Sequence, residues 1–279
     1  MVEQQIEKTI KEYKVLNIGE VINYEKYKLY SIVANSTALE GSTLTEVDTQ
    51  LLLDEGVTAN GKPLEHHLMV KDNYHALHNA LQLAGQKTLI TPEVLRTING
   101  LNMKNTGEIV HSALGTVDGT KGEFRKVQAF SQYLGYYLAP TKIDAAVDVF
   151  CTEVQQYMQA DHSPSEALKF SFAAQAKLIM IHPWQDGNKR TSRIISNYIQ
   201  QYFGLPLGKV DKSDGAGYLK NLKIFKETGD IDPFVKFMSE KYVELLQKEI
   251  RQNKENLNWN MPKNKQNIPQ EERKNRFKL

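Results

Sequence analysis

Apolar residues along this chain recur every three or four positions far more often than they alternate, which is the signature of amphipathic helix. The repeat runs through residues 2–14, about 22–38, 45–55, 64–84 and 92–102, and resumes over about 141–159, 164–181, 188–203, 214–228 and 231–250. Thr91-Pro92-Glu93 is a good helix start, with Thr91 as the N-cap and Pro92 at the first helical position. One region breaks the pattern. Residues 109–135 carry Gly115, Gly119, Gly122 and Gly135 with short, partly alternating runs between them. There Gly122–Phe130 reads as one arm of a β-hairpin turning near Asp118-Gly119, and strand is expected only in one short hairpin within about 109–132. The fold class predicted is mainly all-α, with the hairpin held by packing against helices.

The segment 164–181 is unusually apolar, from Leu168, Phe170 and Phe172 to Leu178, Ile179, Met180 and Ile181, and predicts a helix buried on most of its surface. It ends at His182-Pro183, because proline disfavours helix in the residue before it. His182 therefore sits where a helix turns into the loop Trp184-Gln-Asp-Gly-Asn188, and a new helix begins near Asn188 or Lys189.

That helix start holds the candidate chemistry. A helix N-terminus exposes unpaired N–H groups and a partial positive charge, which favours an anion. Gly187 allows close backbone approach to a phosphate, and Asn188 can cap the helix and donate a side-chain hydrogen bond. Lys189, Arg190 and Arg193 place three cations in the first turns, an arrangement that disfavours the helix unless a polyanion binds there. Asp186 is a single carboxylate beside this cluster, a common way to hold Mg²⁺ against phosphates. Together these groups suit phosphoryl or nucleotidyl transfer.

Composition narrows the setting. The 279 residues suit one large domain or two small ones, and a net charge of only +2 removes a global field for nucleic acid. The single cysteine, Cys151, lies in an apolar run and reads as a buried structural thiol in a reduced, cytoplasmic protein. The charged N-terminus is not a signal peptide, and no apolar stretch is long enough for a membrane span. Residues 251–279 are rich in Asn, Gln and Lys and read as a flexible basic tail, whose Arg273, Lys274, Arg276 and Lys278 are expected to be solvated rather than bound to nucleic acid.

The segment 182–193 resembles the signature of the Fic (Fido) family, H-x-F-x-[D/E]-G-N-G-R-x-x-R. His182, Asp186, Gly187, Asn188, Arg190 and Arg193 match, Trp184 replaces the usual Phe, and Lys189 replaces the second Gly. Gly122-Glu123-Phe124-Arg125-Lys126-Val127 resembles the family's flap, which clamps a target polypeptide, and Tyr137-Leu-Ala-Pro140 resembles the connection that follows it. Ser36-Thr-Ala-Leu-Glu40-Gly41 resembles the inhibitory motif [S/T]-x-x-x-E-[G/N]. The resemblance implies a Fic-type helical bundle. Its layout would be an N-terminal region 1–90 with an inhibitory helix at about 25–41, a core at 91–205 with a flap at 109–132, C-terminal helices at 206–250 and the tail.

The same resemblance implies transfer of AMP from ATP, with Mg²⁺, to a Ser, Thr or Tyr hydroxyl of a protein, in a chain that can form homodimers. By residue match His182 would be the general base and Asp186 the metal carboxylate. The backbone N–H groups of Gly187 and Asn188 would cradle phosphates, Arg190 and Arg193 would neutralise them, and Lys189 would lie in the same nucleotide site. Ser36, Glu40 and Gly41 would restrain the enzyme through a Glu40–Arg193 pair. Lys189 leaves two alternatives open. In the related death-on-curing toxin a lysine at this position accompanies phosphate transfer, so kinase-like chemistry is one. The other is a nucleotide-binding regulatory module with little activity.

Overall fold

The computed structural model describes residues 2–18 and 24–260. The expected helix over about 22–38 therefore begins partly outside the described residues, as does the tail beyond 260. Among the described residues the elements are α1 (Val2–Val15), α2 (Tyr24–Ala38), α3 (Glu46–Glu55), α4 (Leu64–Gly85), α5 (Pro92–Asn102), β1 (Ile109–Ser112), β2 (Gly115–Asp118), β3 (Phe130–Ser131), β4 (Gly135–Tyr136), α6 (Ile143–Met158), α7 (Pro164–Ile181), α8 (Asn188–Tyr202), α9 (Gly215–Thr228) and α10 (Asp232–Asn260). The all-α expectation holds, with strand confined to two small antiparallel pairs.

Local chemistry explains the element ends that matter for the site. The Thr91 hydroxyl accepts the Val94 N–H, so the expected cap opens α5. Ser163 and Glu166 form a reciprocal capping box at the start of α7, with Pro164 in the first helical position. At its other end α7 stops at Ile181, and His182 takes a left-handed backbone with φ of 52°.

α7 is the central post of the bundle. Its Ala174 and Leu178 join Leu77, Ile98, Val147 and Ile195 in one apolar cluster. Its Leu168, Phe172 and Ile179 join Ile6, Tyr218, Phe234 and Leu246 in a second. A helix buried on both sides holds its ends rigidly, and Leu178→Ala would cost about 2–5 kcal/mol. α8 runs against α7 and is buried along nearly its whole length, polar face included. Its Ser196 and Gln200 bond with Ser171 of α7, which satisfies groups that would be costly to bury alone.

Three expectations are corrected. The single hairpin turning at Asp118-Gly119 is instead two. β1 pairs β2 around a turn at Ala113-Leu114, β3 pairs β4, and residues 122–129 between them form no strand. Gly122 explains part of this. It has φ of 68°, and a Cβ there would lie 2.0 Å from the Arg96 carbonyl oxygen, so the chain is pressed against α5. Phe124 and Arg125 are then buried in succession, which strand alternation does not allow. The tail also begins later than expected, since α10 continues through residue 250 to Asn260. Finally, the inhibitory helix expected to run to about 41 ends at Ala38, so Glu40 lies in the turn beyond it.

Candidate active site

The loop from α7 to α8 is built as a tight bend held from three sides. Asn188 opens α8, and its side chain both accepts the Trp184 N–H at 3.0 Å and donates to the Trp184 carbonyl at 2.7 Å. The sequence suggested that Asn188 would cap α8; Gly187 holds the cap position instead, and the Asn188 side chain braces the loop. Trp184 is 1% exposed and donates its indole N–H to the Gly122 carbonyl. Gly187 has φ of 77°, and a Cβ there would lie 2.7 Å from Met103 Sδ and 2.8 Å from Asn99 Nδ2. Glycine is required by backbone shape and by the closeness of α5, before any ligand is considered.

α5 supplies supports that the sequence reading passed over. Asn99 donates to the Asp186 carbonyl and to the Thr191 hydroxyl, and Asn102 donates to the same hydroxyl. Asn73 of α4 in turn donates to Asn102. The available signal was two asparagines three apart on the inward face of an amphipathic helix.

The cations that follow are deeply placed. Arg190 is buried, with Nη2 3.3 Å from Asp186 Oδ2 and 3.2 Å from Met103 Sδ. Arg193 donates through Nε to Ser36 Oγ at 2.9 Å and through Nη2 to the Ser36 carbonyl at 2.8 Å. The same Nη2 lies 2.9 Å from Glu40 Oε1, and Lys189 Nζ lies 2.7 Å from Glu40 Oε2. Burial works against the Glu40 charge, but Arg193 and then Lys189 outweigh it and hold the carboxyl below the usual range. The buried Nη1 atoms of both arginines have no hydrogen-bond partner. Unsatisfied guanidinium donors are costly, and they suit an anion.

His182 faces the same space. A cleft of about 290 Å³ is lined by Glu40, Phe130, Tyr137, His182, Asp186 and Lys189, among others. The His182 imidazole is pushed down to about 3, first by burial and then by the Arg125 guanidinium, with the Ile179 carbonyl opposing them. The ring is therefore neutral, and a neutral imidazole can accept a proton.

The expected flap residues are placed differently from the expectation. Arg125 is 2% exposed and points inward, donating to the carbonyls of His182, Val127 and Leu138. Gly122 and Phe124 are buried, and Val127 is half-buried. Glu123 accepts the Asp118 N–H, and Lys126 reaches the Thr116 carbonyl. Only Glu123 and Lys126 of that set face solvent. The exposed edge at the cleft mouth is instead Phe130, whose ring packs at a tilt against Tyr136 with centroids 5.0 Å apart. Cys151 is buried, with its thiol pushed up to about 12 by burial and Asp148, so it takes no part.

A histidine ending one buried helix, a braced loop and a cation-rich start to the next thus come together at one cleft. Residues 89–200 match the Fic/DOC family model, and that stretch runs from just before α5 nearly to the end of α8. The protein adenylyltransferase Fic of Drosophila virilis is 29% identical over 218 residues, which is 77% of this chain and 41% of that protein. The chain thus spans less than half the length of this curated relative. A Fic-domain-containing signaling protein from Bacteroides thetaiotaomicron has the same fold, with a TM-score of 0.72 at 22% identity, covering 90% of this chain and 97% of that one. Fic-1 from C. elegans superposes with a TM-score of 0.73 at 19% identity, covering 91% of this chain and 73% of that one.

Proposed function

We propose that this protein transfers AMP from ATP to a Ser, Thr or Tyr hydroxyl of a protein, and that Glu40 restrains it. The observation that carries this reading is the convergence of neutral His182, Asp186, Lys189 and Arg190 on one cleft, with Glu40 lying across to Arg193. The target hydroxyl oxygen attacks the α-phosphorus, its proton passes to the His182 imidazole, and pyrophosphate leaves. The N–H groups that open α8 take phosphate oxygens, and the unpartnered Nη1 atoms of Arg190 and Arg193 meet the departing charge.

Among the described residues no group of three or more His, Cys, Asp or Glu could hold a metal. A Mg²⁺ ion here needs only one protein carboxylate, with phosphate oxygens and water completing its shell. Asp186 fits that role, because its side chain is 72% exposed and lines the cleft. The ion would supply charge neutralisation at the phosphates.

Glu40 opposes this chemistry in two ways. It occupies Arg193 Nη2, and it puts a negative charge where the outer phosphates would lie. Glu40→Gly is therefore the form in which to test the function. Label from α-³²P-ATP on protein, together with an intact-mass gain of one AMP, is the expected result. His182→Ala in that background should lose it by roughly 10²–10⁴-fold while nucleotide still binds. Label from γ-³²P-ATP instead would make the protein a kinase and overturn the assignment.

A further inference from the structure

Lys189 stands where the family signature has its second glycine, and in the structure it has a definite partner. The Glu40 carboxylate is divided between two cations, with Oε1 on Arg193 and Oε2 on Lys189. The two cations differ in freedom. Arg193 is anchored to α2 by two further bonds to Ser36, and its side chain is 7% exposed. Among the described residues Lys189 has no second ion-pair partner, and its side chain is 32% exposed on a flexible four-carbon stem. If Glu40 moves away, Arg193 keeps its two bonds to Ser36, whereas Lys189 loses its ion-pair partner.

The position of the pair matters as well. Glu40 and Lys189 both line the His182 cleft of about 290 Å³, and both line a neighbouring cavity of about 240 Å³ that includes Ala38, Lys212 and Tyr218. The Glu40–Lys189 contact is thus part of the wall between the two spaces. A polyanion that displaced Glu40 would meet the Lys189 ammonium at that wall.

We propose that Lys189 is a two-position cation: it holds Glu40 in the resting site, and it moves onto the outer phosphates of bound nucleotide when Glu40 leaves. This rests on the ATP-transferase reading above. It gives Lys189 opposite effects in two states. With Glu40 present, Lys189 keeps the blocking carboxylate in place and so opposes ATP. With Glu40 gone, it has only the phosphates to pair with and so favours ATP.

The test is the affinity for magnesium and α,β-methylene-ATP, measured by calorimetry on four proteins: wild type, Lys189→Met, Glu40→Gly and the double variant. Lys189→Met should tighten binding several-fold in the wild-type background and weaken it by roughly 10-fold in the Glu40→Gly background. Lys189→Gly, which restores the signature residue, should follow Lys189→Met in both. Without nucleotide, Lys189→Met should lower Tm when Glu40 is present and leave it unchanged when Glu40 is absent. A change of affinity in the same direction in both backgrounds overturns the proposal and leaves the restraint by Glu40 standing. If Glu40→Gly alone alters neither affinity nor self-modification, the restraint falls and takes this proposal with it.

Discussion

The Tyr137 ring lies flat against the His182 imidazole, with centroids 3.7 Å apart and planes within 13°. Tyr137 is buried, and the Lys226 ammonium lies 5.5 Å from the same ring. His182 has a left-handed backbone beyond the end of α7, so helix geometry alone does not orient its side chain. The tyrosine face supplies a flat stop for the ring. It also excludes water from one side of the imidazole, which contributes to the burial that holds it neutral.

This contact makes Tyr137 a positioning residue. Tyr137→Leu is expected to lower kcat about 10-fold or more, because a base out of line loses most of its advantage. ATP affinity should hardly change, and Tyr137→Phe should restore most of the rate since it keeps the stacked face. The comparison needs kcat and nucleotide Kd for both variants in the Glu40→Gly background. Equal losses for Leu and Phe would mean that the hydroxyl, not the ring face, matters.

Glu40→Gly and Arg193→Ala break the same 2.9 Å ion pair, yet they should diverge. The first frees Arg193 for phosphate and should raise modification by at least about 10-fold, the scale of one charge-assisted hydrogen bond. The second removes the clamp along with the restraint and should not raise it. Incorporation of α-³²P label in the two variants decides the matter.

The low proton affinity of His182 has a pH consequence. Its folded value of about 3 lies below the ordinary 6.5, so the base stays unprotonated well into acid. In the Glu40→Gly variant kcat/KM should therefore stay level from about pH 8 to about pH 5, instead of falling near 6.5. Bound triphosphate brings negative charge to the ring and should move the acid limb of kcat to higher pH than that of kcat/KM. The stability sign follows from the same shift. The contribution of neutral His182 is complete above 6.5 and is lost as pH falls toward 3, so Tm should drop in acid more for wild type than for His182→Asn.

Arg125 satisfies the carbonyls of His182, Val127 and Leu138 at once. Arg125→Met fills similar volume but leaves those acceptors without their donor, and it should cost about 2–4 kcal/mol in chemical denaturation. A loss below about 0.5 kcal/mol would show that water replaces the guanidinium freely.

The corrected segment 122–130 shows where the sequence misleads. Its glycines and short alternation look like a hairpin arm, and an arginine there looks like a surface group. The inward course of Arg125 depends on finding three carbonyls from separate stretches of chain, and no local pattern carries that information. Asn188 is similar. As a residue at a helix start it looks ready to cap α8, but its amide is taken up by Trp184 four residues earlier.

By itself the sequence determined what short-range physics controls. Helical periodicity, the Thr91 cap and the stop at His182-Pro183 place α5, α7 and α8, and they put His182, Asp186, Lys189, Arg190 and Arg193 within one loop and one helix start. Those groups are neighbours because the chain between them is too short to separate them. Tertiary structure alone decided which of them meet distant partners. Glu40 reaches Arg193 across 153 residues and, unforeseen, takes Lys189 as well, while Tyr137 comes to lie on His182. Such pairings depend on how α2, α7 and α8 dock through their apolar faces, and a docking shift of an ångström or two would make or break a 2.7 Å contact without altering any local pattern.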